Sequence, residues 1–230
     1  RGEAQGCAEQ NHDTSQTALP TPKSILAESD SPLNRSFMAT EEPIKQIIDW
    51  LGAAEKKEPS DPGAMSVATV GASGRPSLRM VLLRGIDERG LVFYTNLSSG
   101  KAVEIRTNPW VALCLHWKST DRQVRVEGRA ELVSEVEADA YFASRDRESQ
   151  IGAWASKQSQ PLVGRFKLER RVAKFAARHA ISSVPRPEFW SGYRVVPERI
   201  EFWEKRPFRL HERTLYEREG DAWAVSRLYP

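Results

Sequence analysis

The sequence predicts a mainly β protein with peripheral helices, of the α+β class, and three observations lead to that prediction. Apolar and polar residues alternate with a period of two through much of the chain after residue 64. Short segments rich in Gly, Asp and Ser divide these runs at the spacing of β-hairpins. A few stretches of helical periodicity interrupt the pattern. Short strands at hairpin spacing are typical of a closed or nearly closed antiparallel barrel.

The chain divides into an N-terminal arm and one folded domain. Residues 1–38 contain few large apolar side chains, too few to offset the entropy of ordering a packed segment, and we expect a flexible arm. The domain is expected over residues 39–230. Isoleucine and leucine at three- and four-residue spacing predict a first helix from Glu41 to Lys57, with Thr40 as its cap.

The remaining elements follow from the change of period. The predicted strands are Met65–Val70, Leu78–Arg84, Leu91–Thr95, Val111–Trp117, Gln123–Val133, Tyr193–Trp203, Phe208–Arg218 and Trp223–Leu228, and the predicted helices are Lys101–Arg106, Glu135–Arg145 and Arg165–His179.

Composition excludes several classes of protein. The 34 basic and 31 acidic side chains nearly balance, which argues against a protein devoted to nucleic acid. The sequence has no apolar run of the roughly 20 residues that cross a bilayer, so we expect a cytoplasmic protein without a membrane partner. The 2 cysteines and 4 scattered histidines predict no metal site.

The most informative polar segment is Arg209–Arg213. If it is extended, Arg209, His211 and Arg213 share one face while Leu210 points the other way. Guanidinium and imidazole groups on one strand suit a phosphate or an electron-rich ring. A solvated, charged edge strand explains the same pattern, and periodicity alone does not separate the two interpretations.

A second candidate lies on the helix predicted from residue 135. Tyr141 and Arg145 are four residues apart and therefore share a helical face, and the hydroxyl of Ser149 could complete an anion cradle. Ordinary surface chemistry is the alternative. A third candidate is the apolar strand between Arg79 and Arg84, which is either a core strand with solvated ends or a wall that presents charge to a ligand.

A family resemblance connects these candidates. The chain resembles the pyridoxine/pyridoxamine 5'-phosphate oxidases from about residue 42 to the end. The resemblance is carried, in the family's order, by residues 79–84 (RMVLLR), 92–96 (VFYTN), 122–128 (RQVRVEG), 149–159 (SQIGAWASKQS), 201–203 (EFW), 209–213 (RLHER) and 227–230 (RLYP).

The resemblance implies a homodimeric split β-barrel that binds FMN at the subunit interface. It also implies an activity in vitamin B6 synthesis, in which pyridoxine or pyridoxamine 5'-phosphate is oxidised to pyridoxal 5'-phosphate by molecular oxygen, with release of hydrogen peroxide. The rival interpretations are a related flavin oxidase of another pathway, such as phenazine synthesis, and a flavin- or pyridoxal-phosphate-binding module with little turnover.

The resemblance also implies a role for individual residues, some of them acting from the partner chain. The cofactor-binding positions would be Arg79, Met80, Val81, Leu82, Tyr94, Thr95, Lys101, Gln123, Gln158, Ser159, Trp203 and Arg213. The substrate-binding positions would be Asp61, Arg84, Tyr141, Arg145, Ser149, Arg209 and His211, and of these Arg209 and His211 would be catalytic.

The chain departs from the family's pattern at several places. Gly100 stands where an arginine is expected in the flavin-phosphate loop, which predicts weaker FMN binding, and Arg84 stands where lysine is usual. No tyrosine precedes Tyr94, so the Arg-x-x-Tyr pair that closes over the substrate in the family has no counterpart. Residues 204–208 replace a turn that usually contains glycine.

Overall fold

The computed structural model describes residues 42–230, so the predicted arm over residues 1–38 and the predicted cap Thr40 lie outside the described residues. The helices are α1 (Pro43–Glu55), α2 (Gly100–Thr107), α3 (Glu135–Ser144), α4 (Arg147–Ala155) and α5 (Lys167–Arg178). The strands are β1 (Ala64–Val70), β2 (Pro76–Leu82), β3 (Gly85–Asp87), β4 (Gly90–Asn96), β5 (Trp110–Trp117), β6 (Arg122–Leu132), β7 (Trp190–Glu204), β8 (Glu212–Glu219) and β9 (Ala222–Arg227), with a 3-10 turn at Pro207–Arg209.

All strand pairs are antiparallel, and they form one curled sheet. The order is β2-β1-β5-β6-β7-β4-β3, and β8 and β9 extend from β7. The long strand β7 joins the two parts, because its first residues pair with β4 and its last residues pair with β8. The mainly β fold with peripheral helices is therefore confirmed.

A bulge between Glu127 and Gly128 shifts the register of β6 against β7. A Cβ atom on Gly128 would lie 2.1 Å from the carbonyl oxygen of Val196, so only glycine fits where the two backbones approach. The bulge increases the local twist and allows β7 to pass from one part of the sheet to the other.

The core lies on the concave side of the sheet, where alternate residues of β1, β5 and β6 are buried. Ile47 of α1 is fully buried against this surface. Trp117 is 1% exposed, and its indole nitrogen donates to the carbonyl oxygen of Pro62 at 2.7 Å. Strand β2 is different: Leu78 and Met80 remain 68% and 64% exposed, so a single chain leaves an apolar surface at this edge of the sheet.

The predicted elements were correct in type and differ from the observed ones mainly at boundaries, and the short strand β3 was not predicted. Helix α1 begins at Pro43, a residue that suits the first helical position, so Glu42 rather than Thr40 is at the cap position. The segment after Arg145 forms a separate helix, α4, which the sequence reading missed. Its start is explained by Asp146, whose carboxylate accepts from the backbone nitrogen of Ser149 at 2.7 Å.

The prediction of one extended strand from Phe208 was wrong over its first residues. Phe208 and Arg209 have φ values of 57° and 62°, and β8 begins only at Glu212. Pro207 opens a tight turn in which the nitrogen of Leu210 donates to the Pro207 carbonyl at 3.1 Å. Among residues 42–230, no helix has the length and apolar character needed to cross a membrane.

Candidate active site

A cavity of about 600 Å³ opens between the sheet and the helices α2, α3 and α4. It brings together residues that are far apart in the sequence. The predicted site residues that line it are Met80, Val81, Leu82, Arg84, Tyr94, Thr95, Lys101, Tyr141, Arg145, Ser149 and Gln158. The lining residues that the sequence analysis did not identify are Asn96, Ser144, Asp146, Ala153, Ser156 and Trp190.

Lys101 is a buried cation in the wall of this cavity. It is 7% exposed, and its ammonium group donates to Thr95 Oγ1 at 2.9 Å, Ser99 Oγ at 3.4 Å and Gln158 Oε1 at 3.4 Å. All three acceptors are neutral. Burial therefore lowers the pKa of Lys101, and the nearby charge of Arg79 lowers it further. A bound anion would stabilise the charged form of the Lys101 ammonium group, so the site suits an anionic ligand.

Arg79 does not line the cavity. Its guanidinium donates to Ser77 Oγ at 2.6 Å and to Thr69 Oγ1, and it forms an ion pair of 3.1 Å with Glu104 of α2. The same Glu104 oxygen accepts from Ser77 at 2.6 Å and from Thr69, and these hydrogen bonds lower the pKa of Glu104. This network ties α2, the helix that carries Lys101, to β1 and β2.

The loop before α2 is held by a second polar contact. The backbone nitrogen of Gly100 donates to Ser159 Oγ at 3.2 Å, and Ser159 has a φ of 69°. Thr95 Oγ1 donates to Gln158 Oε1 at 3.1 Å. Gln158 and Ser159 therefore reach the residues around Lys101 in the same chain.

Arg145 is the second cation of the cavity wall. Its atom Nη1 is buried and has no hydrogen-bond partner among the residues that the structure describes. Burial lowers the pKa of Arg145, while the neighbouring carboxylate of Asp146 opposes this shift. Tyr141 and Ser149 line the same cavity. The helical face predicted for Tyr141 and Arg145 does not form, because α3 ends at Ser144 and Arg145 is extended, and Ser149 lies on α4. An unpaired donor beside two hydroxyl groups is the arrangement that an anion would complete.

Three aromatic rings lie in nearly parallel planes beside this cation. The ring centroids of Tyr94 and Tyr141 are 3.9 Å apart, and those of Tyr94 and Trp190 are 5.3 Å apart. Gly192 pairs with Tyr94 across the strands, and a Cβ atom there would lie 2.8 Å from the Tyr94 ring. Because glycine lacks a Cβ atom, the Tyr94 ring can lie flat over β7 at this position. Burial of the Tyr94 side chain raises the pKa of its hydroxyl group to about 12.

Asp61 is linked to the cavity through Arg84, with which it forms an ion pair of 3.2 Å. Its other carboxylate oxygen accepts from the backbone nitrogen of Gly63 at 2.9 Å, which fixes the turn before β1. Asp61 does not itself line the cavity.

The other predicted site residues form a separate group, which we call the C-terminal cluster: Gln123, Trp203, His211 and Arg213. Gln123 pairs with Trp203, and Trp203 pairs with Arg213, so they lie in one row across β6, β7 and β8. The rings of Trp203 and His211 are 4.6 Å apart. None of the four lines the cavity of its own chain.

Arg213 is held firmly within this cluster. It donates to Glu201 at 2.7 Å and to the carbonyl oxygen of Tyr229 at 2.9 Å. Arg209, in contrast, lies in the turn before β8, and the expected common face of Arg209, His211 and Arg213 is not formed by a strand. Leu210, which was expected to point away from Arg209 and His211 on a strand, lies in the same turn and is 66% exposed.

Comparison with known proteins identifies this architecture. The sequence profile described as pyridoxamine 5'-phosphate oxidase matches residues 51–179. A second profile, described as the pyridoxine 5'-phosphate oxidase C-terminal dimerisation region, matches residues 190–230. The chain belongs to the pyridoxamine 5'-phosphate oxidase family.

Relatives within the family agree over most of the chain. A pyridoxine/pyridoxamine 5'-phosphate oxidase from Rhodospirillum rubrum is 60% identical over 200 residues, which covers 85% of this chain and 100% of the relative. One of the same name from Azorhizobium caulinodans is 55% identical over 206 residues, covering 88% and 97% of the two chains.

Solved structures in the comparison support the same fold. PhzG from Burkholderia lata 383, in complex with tetrahydrophenazine-1-carboxylic acid, has 34% identity and a TM-score of 0.79 over 83% of this chain and 94% of that one. The C-terminal cluster falls largely within the family's dimerisation region, except for Gln123. The division between the two profiles therefore follows the separation of the cavity from the cluster except at Gln123 and at Trp190, which lines the cavity from the second profile.

Proposed function

We propose that the protein is an FMN-dependent oxidase that converts pyridoxine or pyridoxamine 5'-phosphate to pyridoxal 5'-phosphate and acts as a homodimer in the cytoplasm. The observation that carries this proposal is the presence of two cations, Lys101 and Arg145, in the wall of one cavity. Neither forms an ion pair with a carboxylate of residues 42–230, and the reaction requires two phosphate-bearing molecules side by side.

The residues around Lys101 fit the phosphate of FMN. Its buried ammonium group has only neutral acceptors, so a phosphate would supply the missing negative charge. Gly100 contributes no side-chain donor beside it. The apolar wall of Met80, Val81 and Leu82 suits the flavin ring.

The chemistry that FMN supplies when bound is acceptance of a hydride from the exocyclic carbon of the substrate, followed by reoxidation by molecular oxygen to give hydrogen peroxide. The protein binds and orients the substrate. Tyr141, Arg145 and Ser149 would hold its phosphate, and Arg84, fixed by Asp61, would lie beside it.

The C-terminal cluster would complete the site from the partner protomer. It does not reach the cavity of its own chain, whereas it lies largely in the region matched by the dimerisation profile. The exposed apolar side chains of β2 support burial against a second copy. In that arrangement Trp203, Arg213 and Gln123 would contact the flavin, while Arg209 and His211 would lie over the pyridine ring and assist proton loss.

Oxygen consumption tests the reaction. Purified protein should contain FMN and consume oxygen with either phosphorylated pyridine, and more slowly with a tetrahydrophenazine carboxylic acid. Arg209→Ala and His211→Ala should lower turnover far more than FMN content, because groups over the ring act in the transition state. Arg213→Ala should mainly release FMN. A protein that stays colourless after FMN is added, or a monomer that retains FMN in light scattering, would contradict the proposal.

A further inference from the structure

Trp190, the first residue of β7, lies at the base of the cavity. It is 6% exposed, and its backbone nitrogen donates to the carbonyl oxygen of Pro187 at 2.9 Å. The ring of Phe142 packs edge-on against the indole of Trp190, with ring centroids 5.0 Å apart and an interplanar angle of 72°. These contacts fix the indole plane from two directions, so its position depends little on a ligand.

The indole face holds the guanidinium group of Arg145. The Arg145 Cζ atom is 4.9 Å from the Trp190 ring centroid and 5.7 Å from that of Phe142. A guanidinium over an aromatic face is attracted by the ring quadrupole and keeps its full charge. Its Nη1 atom is buried and has no hydrogen-bond partner within residues 42–230, so this donor is unsatisfied.

Arg194, which is 7% exposed, is held differently from Arg145. Arg194 forms ion pairs with Asp87 at 2.6 Å and Glu137 at 2.8 Å, so two carboxylates neutralise it. Asp146 is adjacent to Arg145, yet its carboxylate accepts from the backbone of Ser149 as the cap of α4. The cap contact holds this carboxylate at the helix end, and the aromatic rings hold Arg145, which forms no ion pair with a carboxylate of residues 42–230.

Trp190 also supports Tyr141 through the aromatic stack. The ring planes of Tyr94, Tyr141 and Trp190 lie within 16° of one another. The Tyr94 ring is closer to each of the other two rings than those two rings are to each other. Trp190 therefore contacts both the cation and the ring system from which the tyrosine of the cradle projects.

We propose that Trp190 is a positioning residue that sets the preference for phosphorylated over unphosphorylated pyridines, by holding Arg145 in place without neutralising its charge. This inference rests on the proposed function, because it takes the cradle of Tyr141, Arg145 and Ser149 as the site of the substrate's phosphate. Trp190 does not need to contact the phosphate itself.

Ligand binding to the FMN-saturated protein tests this role. Pyridoxal 5'-phosphate and pyridoxal, which differ by the phosphate, are titrated by difference absorbance into wild type, Trp190→Leu and Trp190→Phe. We expect Trp190→Leu to weaken binding of the phosphorylated ligand at least tenfold and that of pyridoxal less than threefold. Trp190→Phe, which retains an aromatic face, should recover much of the difference.

Trp110→Leu is the matched control, because the Arg129 guanidinium lies 5.6 Å from the Trp110 ring outside the cavity. It should leave both affinities unchanged. Equal weakening of the two ligands by Trp190→Leu, or no weakening of either, would overturn the inference. If Trp190→Leu does not fold or retain FMN, Trp190→Met, which also lacks an aromatic face, takes its place: a ratio of affinities equal to that of wild type overturns the inference.

The result of this binding test can be distinguished from the result of the oxygen-consumption test of the proposed function, because the titration measures binding and not turnover. A wild-type protein that binds the phosphorylated ligand preferentially but does not oxidise pyridoxine 5'-phosphate would contradict the oxidase and leave the role of Trp190 intact. Loss of the preference in Trp190→Leu together with normal oxidation by wild type would support both.

Discussion

Replacing Lys101 with methionine should weaken the binding of FMN while leaving the binding of riboflavin nearly unchanged. Methionine retains an unbranched, apolar side chain of similar length and removes only the charge. Because the ammonium group is buried among neutral acceptors, its charge contributes little to the protein alone. Its contribution appears only when a phosphate is bound.

The expected magnitude follows from the contact that would be lost. A hydrogen bond to a charged group contributes about 1.5–3 kcal/mol. Each 1.4 kcal/mol corresponds to about a tenfold change in affinity, so Kd for FMN should rise roughly 10- to 150-fold. Riboflavin lacks the phosphate, and its Kd should change by less than about threefold on the same scale.

The apoprotein provides an independent measurement. Burial lowers the folded-state pKa of Lys101, so between that pKa and the usual value of 10.5 the unfolded chain binds more protons than the folded one. The wild-type apoprotein should therefore gain stability as the pH rises through this range. Lys101→Met removes that dependence and should be at least as stable as wild type at pH 7.

Flavin fluorescence titration of the apoprotein gives both affinities, and urea unfolding gives the stability. Lys118→Met, at an exposed position in the turn after β5, is the control for a lost surface charge. Equal losses of FMN and riboflavin affinity in Lys101→Met would show that the lysine supports the cavity wall and does not bind phosphate. Marked destabilisation of the apoprotein would refute the electrostatic argument.

Two further substitutions test the region around the phosphate site. Gly100→Arg should tighten FMN binding by about 1.5–3 kcal/mol in a fluorescence titration. The new side chain has room, since a Cβ atom at this position would meet only Ser159 Oγ, at 3.8 Å. Unchanged affinity would mean that the arginine does not reach the phosphate. Glu104→Gln should lower the free energy of unfolding at pH 7 by about 1–3 kcal/mol, because it weakens the hydrogen bonds from Ser77 and Arg79. The pKa of Glu104 is lowered in the folded protein, so this difference should shrink as the pH falls below 4.5, and a difference independent of pH in urea unfolding would contradict it.

Sequence periodicity was sufficient for the type and order of most elements. Alternating burial in β1 and β5 follows directly from the period of two, because successive side chains point to opposite faces of a strand. This feature depends on contacts within one element, and neighbouring residues in the chain determine it. The shared helical face expected for Tyr141 and Arg145 does not form, because α3 ends at Ser144 and Arg145 has an extended backbone, although both residues line one cavity.

The backbone conformation of Arg209 could not be predicted from sequence periodicity. An alternating pattern suggested a strand, but the turn begun by Pro207 places Phe208 and Arg209 at positive φ. Local propensity disfavours this conformation for both residues, so the surrounding structure must impose it. The pairing of β8 with β7, which starts at Glu212, sets where the chain must turn.

The sequence by itself determined the family, most of the elements and most residues of the cavity wall. Only the tertiary structure separated the C-terminal cluster from that cavity and brought Trp190 beneath Arg145. Periodicity specifies the face on which a side chain lies, whereas the pairing of distant strands decides which faces meet. Trp190 and Tyr94 contact each other because β4 pairs with β7, a pairing for which neither segment carries a local signal.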